Sequence, residues 1–451
     1  MLIIQEGECF ITIDGVVVPD PYGTLGRGAM VGESALLMES KRRSATITAK
    51  TDISAFRLDR ASFKRFMAGP HEKVEDIKAE ILKIDQVIEK ISGVKTNYGG
   101  DIIRQFKPSR AWLWTRWSGT ILEQAARPTV ASMFVTSCFV LAVRYFTEPT
   151  WALGEVPDPT FPLISRLVPV TTLWKYLMNI TTFILTFFLA QAYAMWKKMY
   201  DTCRKLQAGM TDIVLLIVSA VAVERDEEMG RLSEEAETLV DDIGHYVRLF
   251  HVFTWASCSK KFQVLSTNRG LSRMLSRGLI SRKEYNTLTS LRPIGGPHHT
   301  CLMWVLVRAL SAMKDGTLPH DRALKEIIYQ KVCALRASYG SIPCQLNGRI
   351  PLSYVHIVQI LVDTFLLFAP FALYTEMGIW SIPAAGVLTL FYAGLLVLSK
   401  VLLDPLDNDE YYAETVNMDI GVLIREGNIG SVRWKYSAEV LPFSTFGSKE
   451  C

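Results

Sequence analysis

No CxxC pair occurs in this chain, and its eight cysteines are scattered singly with no regular framework. Reduced, cytosol-facing thiols are therefore expected rather than a disulfide scaffold. Charge of one sign is also scarce: 49 Lys and Arg stand against 45 Asp and Glu, a net of +4. That excludes a nucleic-acid binder with a broad basic face. HExxH, GxSxG and Walker-type loops are missing, and the fragment GSIPCQ has no partner base, so no enzyme is expected. The opening MLIIQEGECF carries acids where a secretory signal would carry bases. Internal repeats and low-complexity tracts do not stand out. What the chain has in quantity is apolar residue, 49% hydrophobic with a mean hydropathy of +0.19, on a length that suits two or three domains.

Residues 1 to about 70 read differently from the rest. The alternation in LIIQEGECFITIDGVVV predicts two short strands, and ATITAKTDISAFRLD resumes a strand pattern. Gly23, Gly26, Gly28 and Gly32 punctuate the segment between them, and SALLMES predicts one short helix. A small β-roll fits this order. The first N–H groups of that helix have no intrahelical partner and favour an anion. Gly32 lets the backbone approach closely, Arg43 offers a planar fork to phosphate oxygens, and Glu33 needs a hydroxyl partner such as a ribose.

The run Gly32-Glu33-Ser34-Ala35-Leu36, followed by Arg43-Ser44-Ala45-Thr46, resembles the phosphate-binding cassette of cyclic nucleotide-binding domains. The likeness is specific over residues 23 to 66. It implies that Glu33 takes the ribose hydroxyl and Arg43 the cyclic phosphate of cAMP or cGMP. Backbone N–H groups at Gly32, Ser34 and Ala35 and the Ser44 hydroxyl would assist. The family's usual first helix and first strands are missing ahead of Met1, so the roll is expected to be incomplete at its N-terminus. The alternative for the same residues is a degenerate cassette retained for docking.

Between residues 71 and 100 lies a connector. Val74, Ile77, Ile81, Ile84, Ile88 and Ile91 alternate in threes and fours, the a/d seam of a coiled coil, among Glu, Lys and Asp. Two outcomes suit this stripe: assembly with neighbouring chains, or packing on the β-roll of its own chain. SGVKTNYGG ends the helix.

Four later stretches are apolar enough to span hydrocarbon, which takes about 20 residues of helix. They run roughly 128 to 146, 167 to 196, 352 to 374 and 382 to 403. The run IVLLIVSAVAV, at 213 to 223, is shorter and predicts a buried helix instead. Arg104, Lys107, Arg110 and Arg116 precede the first span, and Lys197, Lys198, Arg204 and Lys205 follow the second. The loop TEPTWALGEVPDPTFPL between them has no Lys or Arg, so the positive-inside rule puts both termini in the cytoplasm. Residues 224 to 345 then form a cytosolic helical segment. Plasma membrane and organelle membrane both suit this pattern.

Several segments in one unbroken order resemble bestrophins, the pentameric anion channels. They are RWSGTILE before the first span, AYAMWKKMYD after the second, and RGLISRKEYNTL in the cytosolic segment. RIPLSYVHIVQILVDTF at the third span, SKVLLDPLDNDE after the fourth and GVLIREGNIGSVRWKY near the end complete the series. The likeness covers residues 105 to 440, leaving 441 to 451 as a tail. It implies a mainly α, multi-pass channel domain preceded by the small β-roll, a homopentamer in a lipid bilayer, and chloride or bicarbonate as permeant ion. No nucleic acid enters.

The resemblance also places a pore neck on the second span at i, i+4 and i+8, here Asn179, Phe183 and Phe187. Two phenylalanine rings could gate by dewetting, and aromatic edges are weakly electropositive. Asn179 stands where the family has an apolar residue, which makes the outermost ring wetter. Without the family, lipid or helix packing explains these phenylalanines as well. A second, cytosolic constriction falls near Val252. In animal members the acidic loop after the fourth span clasps calcium through oxygen ligands. Asp404 and Asp409 match ligand positions, but Tyr412 replaces an aspartate, so calcium is not expected here. Arg144, Lys175 and Asp363 are charges within or at the ends of spans. The first two are suited to drawing anions to the outer mouth, the third to pairing with a neighbouring helix.

The expectation is an anion channel subunit modulated by a cyclic nucleotide. The rivals are an ungated channel with a vestigial sensor, and a membrane-anchored nucleotide-binding scaffold without conduction.

Overall fold

Long apolar helices dominate the chain once the first sixty residues are passed, and among the described residues sheet is confined to those first ones. The structure is a computed structural model. It describes residues 2–13, 16–17, 24–27, 29–31, 46–57, 74–92, 102–103, 108–115, 117, 120–147, 162–223, 232–291, 296–407 and 416–442. By internal contacts the chain divides into two units. One comprises Met1–Gly99, Ala208–Arg336 and Leu423–Cys451, and the other Gly100–Gln207 and Ala337–Val422.

Among the described residues the first unit opens with seven short strands. Strand β1 (Leu2–Glu6) lies between β5 (Met30–Val31) and β7 (Ser54–Arg57), antiparallel to both. Strand β2 (Cys9–Ile13) pairs antiparallel with β3 (Val16–Val17), β4 (Thr24–Leu25) and β6 (Thr46–Ala49). The strand alternation buries Ile4, Cys9, Ile11 and Leu25 together with Ala29 in a small core. Gly7 makes the turn from β1 to β2 at φ +94°, where a Cβ would run into the Asp52 carbonyl.

Helix α1 (Val74–Ser92) follows. Its isoleucine stripe is spent inside the chain: Ile81, Ile84, Ile88 and Ile91 are buried. Among the described residues the surface it packs on is not a strand of the β-roll. It is a 3-10 turn, Gln263–Ser266, and helix α6 (Asn268–Ser276). Those isoleucines are therefore not open for a seam between chains.

The core of this unit is α5 (Glu234–Cys258), capped by Ser233, whose side chain accepts from the Ala236 N–H at 3.2 Å. Glu234, Glu235 and Glu237 in its first turn complement the helix dipole. Against α5 packs α8 (Pro297–Asp315), which ends at Gly316 in the left-handed conformation, φ +89°. Between α6 and α8 lies α7 (Arg282–Leu291).

The second unit holds the short α2 (Arg110–Trp114), then α3 (Ile121–Thr147), α10 (Leu352–Met377) and α11 (Ser381–Leu402). Helices α3 and α11 make its most extensive contact. Gly386 is what lets them approach: a Cβ there would lie 2.7 Å from the Met133 side chain. Among the described residues three segments are long and apolar enough to cross a membrane, Ile121–Tyr145, Ile164–Val223 and Leu352–Leu402. The last divides at the 3-10 turn Gly378–Trp380 into α10 and α11.

Helices α4 (Pro162–Val223), α9 (Arg322–Asn347) and α12 (Ile420–Glu439) each pass through a boundary between the units. At 62 residues α4 is about 93 Å long, some three times the hydrocarbon thickness. The run at 213 to 223 is its C-terminal end. Ile213, Val214, Ile217, Val218 and Val221 are buried as expected, but no break separates them from the preceding span.

Candidate functional site

The apolar residues of α4 fall on more than one face, and among the described residues one of these faces is packed inside the chain. Trp174, Leu185 and Phe188 are buried against α10. Trp174 stacks on Phe365, ring centroids 5.1 Å apart, and donates its indole N–H to the Phe365 carbonyl at 3.0 Å. The Thr171 and Thr375 hydroxyls meet at 2.9 Å, and Thr182 reaches the Tyr392 hydroxyl at 2.6 Å. These contacts set the rotation of α4 about its axis.

With that rotation set, Asn179, Phe183 and Phe187 point away from the packed face. Phe183 is 73% exposed and Phe187 50%, and Tyr176 and Ile180 beside them are exposed too. Two large aromatic side chains spaced one turn apart and bare in the single chain form a contiguous apolar stripe, with the Asn179 amide one turn before it.

Other expected site residues fare differently. Val252 is 5% exposed within α5, beside buried Phe253 and Leu249, so it lines no open surface in a single chain. Gly32, Glu33, Ser34, Ala35, Arg43 and Ser44 lie outside the described residues, as do Asp409 and Tyr412. Asp404 is described: its carboxylate sits 3.1 Å from an Arg349 guanidinium nitrogen, and its Oδ1 accepts from the Asp407 N–H at 3.4 Å. A guanidinium at that distance competes with any cation for the same oxygen.

The charges in the spans are mostly engaged. Lys175 and Glu376 form an ion pair at 2.5 Å with both side chains about half exposed. Asp363 accepts from the Gln359 amide at 2.7 Å on its own helix, and Gln359 in turn takes a hydrogen bond from Lys400 of α11. The expected helix-to-helix pairing of Asp363 is thus relayed by an amide.

Residues missed in the sequence surround α1. Asp85, 8% exposed, receives a bidentate fork from Arg273 at 2.7 and 2.8 Å, with Arg277 at 3.6 Å. Arg269 pairs with Glu80. At the end of α1, the Ile91 carbonyl accepts from the Asn428 amide and the Lys90 carbonyl from Arg425, both at 3.2 Å. Next to these α12 residues, Gly427 faces the fully buried His251 of α5. Burial holds His251 down to about pKa 3, so the ring is neutral near pH 7. The signal for this clasp was present, three arginines at 269, 273 and 277 spaced in fours, but their partners lie almost two hundred residues upstream.

Comparison with known proteins gives two family matches. Residues 111–420 match the family described as "Bestrophin, RFP-TM, chloride channel", and residues 1–69 match "Cyclic nucleotide-binding domain". Among solved structures, a bacterial bestrophin homologue from Klebsiella pneumoniae superposes with a TM-score of 0.51 at 11% identity. It covers 68% of this chain and 97% of its own. A single-substitution variant of that homologue gives 0.52 at 13% identity, covering 71% and 100%. A structure described only as a membrane protein variant gives 0.52 at 12% identity over 68% and 97%. At these identities the likeness is one of fold.

Proposed function

The chain belongs to the bestrophin family, and from that premise we propose that it is the subunit of a pentameric anion channel with a cyclic-nucleotide sensor at its N-terminus. The observation that carries this is the bare stripe of Asn179, Phe183 and Phe187 on a helix whose opposite face is fully used. Five copies brought together on that stripe bury its aromatic surface around an axis and form two phenylalanine rings below one amide ring. Such a constriction opens by wetting and closes by drying. Chloride or bicarbonate crosses it, and no reaction is catalysed.

The division of labour follows the chain: sensor over residues 1 to 70, connector over 71 to 100, channel domain over 105 to 440. Both termini face the cytoplasm, where cAMP or cGMP is met by Glu33 and Arg43. Calcium has no part in gating, because Arg349 already serves Asp404 and Tyr412 offers a phenol where a carboxylate is needed.

Recording from purified protein in planar bilayers tests this, under a chloride gradient and with either nucleotide added on one side. Anion current whose open probability responds to nucleotide is the expected result. Anion current indifferent to both nucleotides leaves a channel with a vestigial sensor. No current under any condition leaves a membrane-anchored binding scaffold.

A further inference from the structure

Eighteen residues are five whole turns of α-helix, so positions eighteen apart share one face about 27 Å along the axis. On α4 this relation carries the neck stripe onto a second set of residues. Asn179 leads to Lys197, Phe183 to Asp201 and Phe187 to Lys205, and exposed Ile180 leads to Lys198. No proline interrupts the helix between them.

The structure gives this second set a shape as well as a charge. Lys197, Lys198 and Lys205 line an open cleft of about 720 Å³, whose far wall is α9, with the Ser338 and Ser341 side chains and Gln345. Gln345 is itself held by donating to the Thr202 hydroxyl at 3.1 Å. Lys197 has Asp201 at 3.4 Å one turn on, both about half exposed. Among the described residues neither Lys198 nor Lys205 makes an ion pair, so two of the three ammonium groups are uncommitted. An aromatic ladder of Tyr193, Trp196 and Tyr200, with centroids 6.1 and 6.0 Å apart, runs beside the cleft.

We infer that this lysine cleft is an anion-collecting site on the conduction path, which concentrates small permeant anions on the cytosolic side of the neck and rejects cations. The inference rests on the pore reading of the Asn179, Phe183 and Phe187 stripe, since it is that stripe which turns the cleft toward the axis. Three lysines and one aspartate leave two positive charges per subunit, repeated around the ring. The anion is recognised by charge, since the Ser341 and Thr202 hydroxyls already donate to the Ser338 and Lys198 carbonyls at 2.7 and 2.8 Å, and there is no desolvated, close-fitting cage. Ions therefore bind weakly and leave easily, as conduction requires. A solvated charge ring acts by steering, and salt screens it: the Debye length is about 30 Å at 0.01 M and about 3 Å at 1 M.

The test is single-channel recording of the full chain with Lys197, Lys198 and Lys205 all changed to Gln, and in a second variant all changed to Arg. The glutamine variant turns the local charge from two positive to one negative per subunit. Its conductance near 0.01 M salt is expected to fall at least about threefold and its reversal potential to shift toward cations, with little change at 1 M. The arginine variant keeps the charge and is expected to behave as wild type, which separates charge loss from misfolding. A glutamine variant with wild-type conductance and selectivity at low salt overturns the inference, and so does an effect seen only in vesicles rich in anionic lipid, which would make the cleft a headgroup site. Phe187→Ala is recorded alongside. If it alters gating while the glutamine variant changes nothing, the pore reading stands and the collecting site falls. If neither changes the current, or the wild type passes none, the pore reading falls and takes the inference with it.

Discussion

Replacing Asp85 by Ala removes the centre of the clasp that holds α1 on its own chain. The carboxylate is 8% exposed and takes two short bonds from Arg273, whose side chain is itself 12% exposed. Deleting one partner of such a buried pair removes most of the compensation for the other charge, a loss of about 3–5 kcal/mol. The surface pair Lys50–Glu8, half exposed on both sides, is a control within the same unit and is worth about 0–1 kcal/mol. At about 1.4 kcal/mol per decade, the buried loss multiplies the opening equilibrium of α1 by two to three and a half orders of magnitude. Hydrogen exchange over residues 74 to 92 reads this directly. Amide protection there should collapse in Asp85→Ala and stay in Glu8→Ala. Arg273→Ala should have the same effect, and the double variant should lose less than the two singles added together. Protection within a few-fold of wild type in Asp85→Ala would refute the argument, leaving the isoleucine stripe as the whole attachment.

Further outcomes follow from the remaining sites. Phe183→Ala and Phe187→Ala should change open probability more than ion preference, because a drying barrier depends on width and apolarity; unaltered gating in both removes the stripe from the gate. Arg43→Ala should weaken cyclic nucleotide binding by roughly 2–3 kcal/mol, about 30- to 150-fold, measured by calorimetry on the full chain. Gly427→Ala should cost about 1–3 kcal/mol in thermal or denaturant unfolding, since its Cβ would sit 2.6 Å from His251 Nδ1. His251 itself sets an acid limit. Its folded pKa, near 3, lies below the ordinary 6.5, so its share of stability is full above about pH 6.5 and drains as pH falls toward 3. His251→Phe should flatten the stability profile over that window.

The spans were legible because hydrocarbon demands long apolar runs, and no other part of a protein needs them. All of the expected stretches are helical, including the hairpin that turns at Gly378–Trp380. The length of α4 was not legible. KKMYDTCRKLQ is polar enough to read as a loop, yet it has no helix breaker other than Gly209 beyond it, and so the helix runs on. The exposed stripe could be singled out only by family resemblance, because Phe183, Phe187 and Phe188 look alike in sequence. Contact with α10 is what separates buried Phe188 from the other two. The destination of the isoleucine stripe was hidden for a similar reason. A heptad pattern records that one face is apolar and does not record what covers it. The polar signal that could have decided was Asp85. It lies just off that seam, where an acid buried among isoleucines calls for a partner.

Where that stripe goes constrains how a nucleotide could act at a distance. A ligand shifts a two-state equilibrium only by its difference in affinity for the two states, so some element must differ between them. Had the isoleucines joined neighbouring subunits, the sensor could have signalled by tightening or loosening a seam. They are instead packed on α6, and the middle and the last turn of α1 are tied by different means. Glu80 and Asp85 are held by arginines, whereas the last turn offers backbone carbonyls to Arg425 and Asn428. The ion-paired part is the costly one to move, and the carbonyl-bonded end is the cheaper one, at about 0.5–1.5 kcal/mol for the neutral Asn428 bond and about 1.5–3 kcal/mol for the charged Arg425 bond. A small rotation of α1 about its buried acids would therefore be felt first at Arg425 and Asn428. Gly427 lies between these two and has no side chain to cushion the His251 ring of α5. In this unit one mechanical route from the connector to the core helix runs through one turn of α12, and another runs through the 3-10 turn that packs on both helices. A coupling that left the protection and packing of the α12 turn unchanged between liganded and free protein would have to pass through the 3-10 turn or bypass the connector.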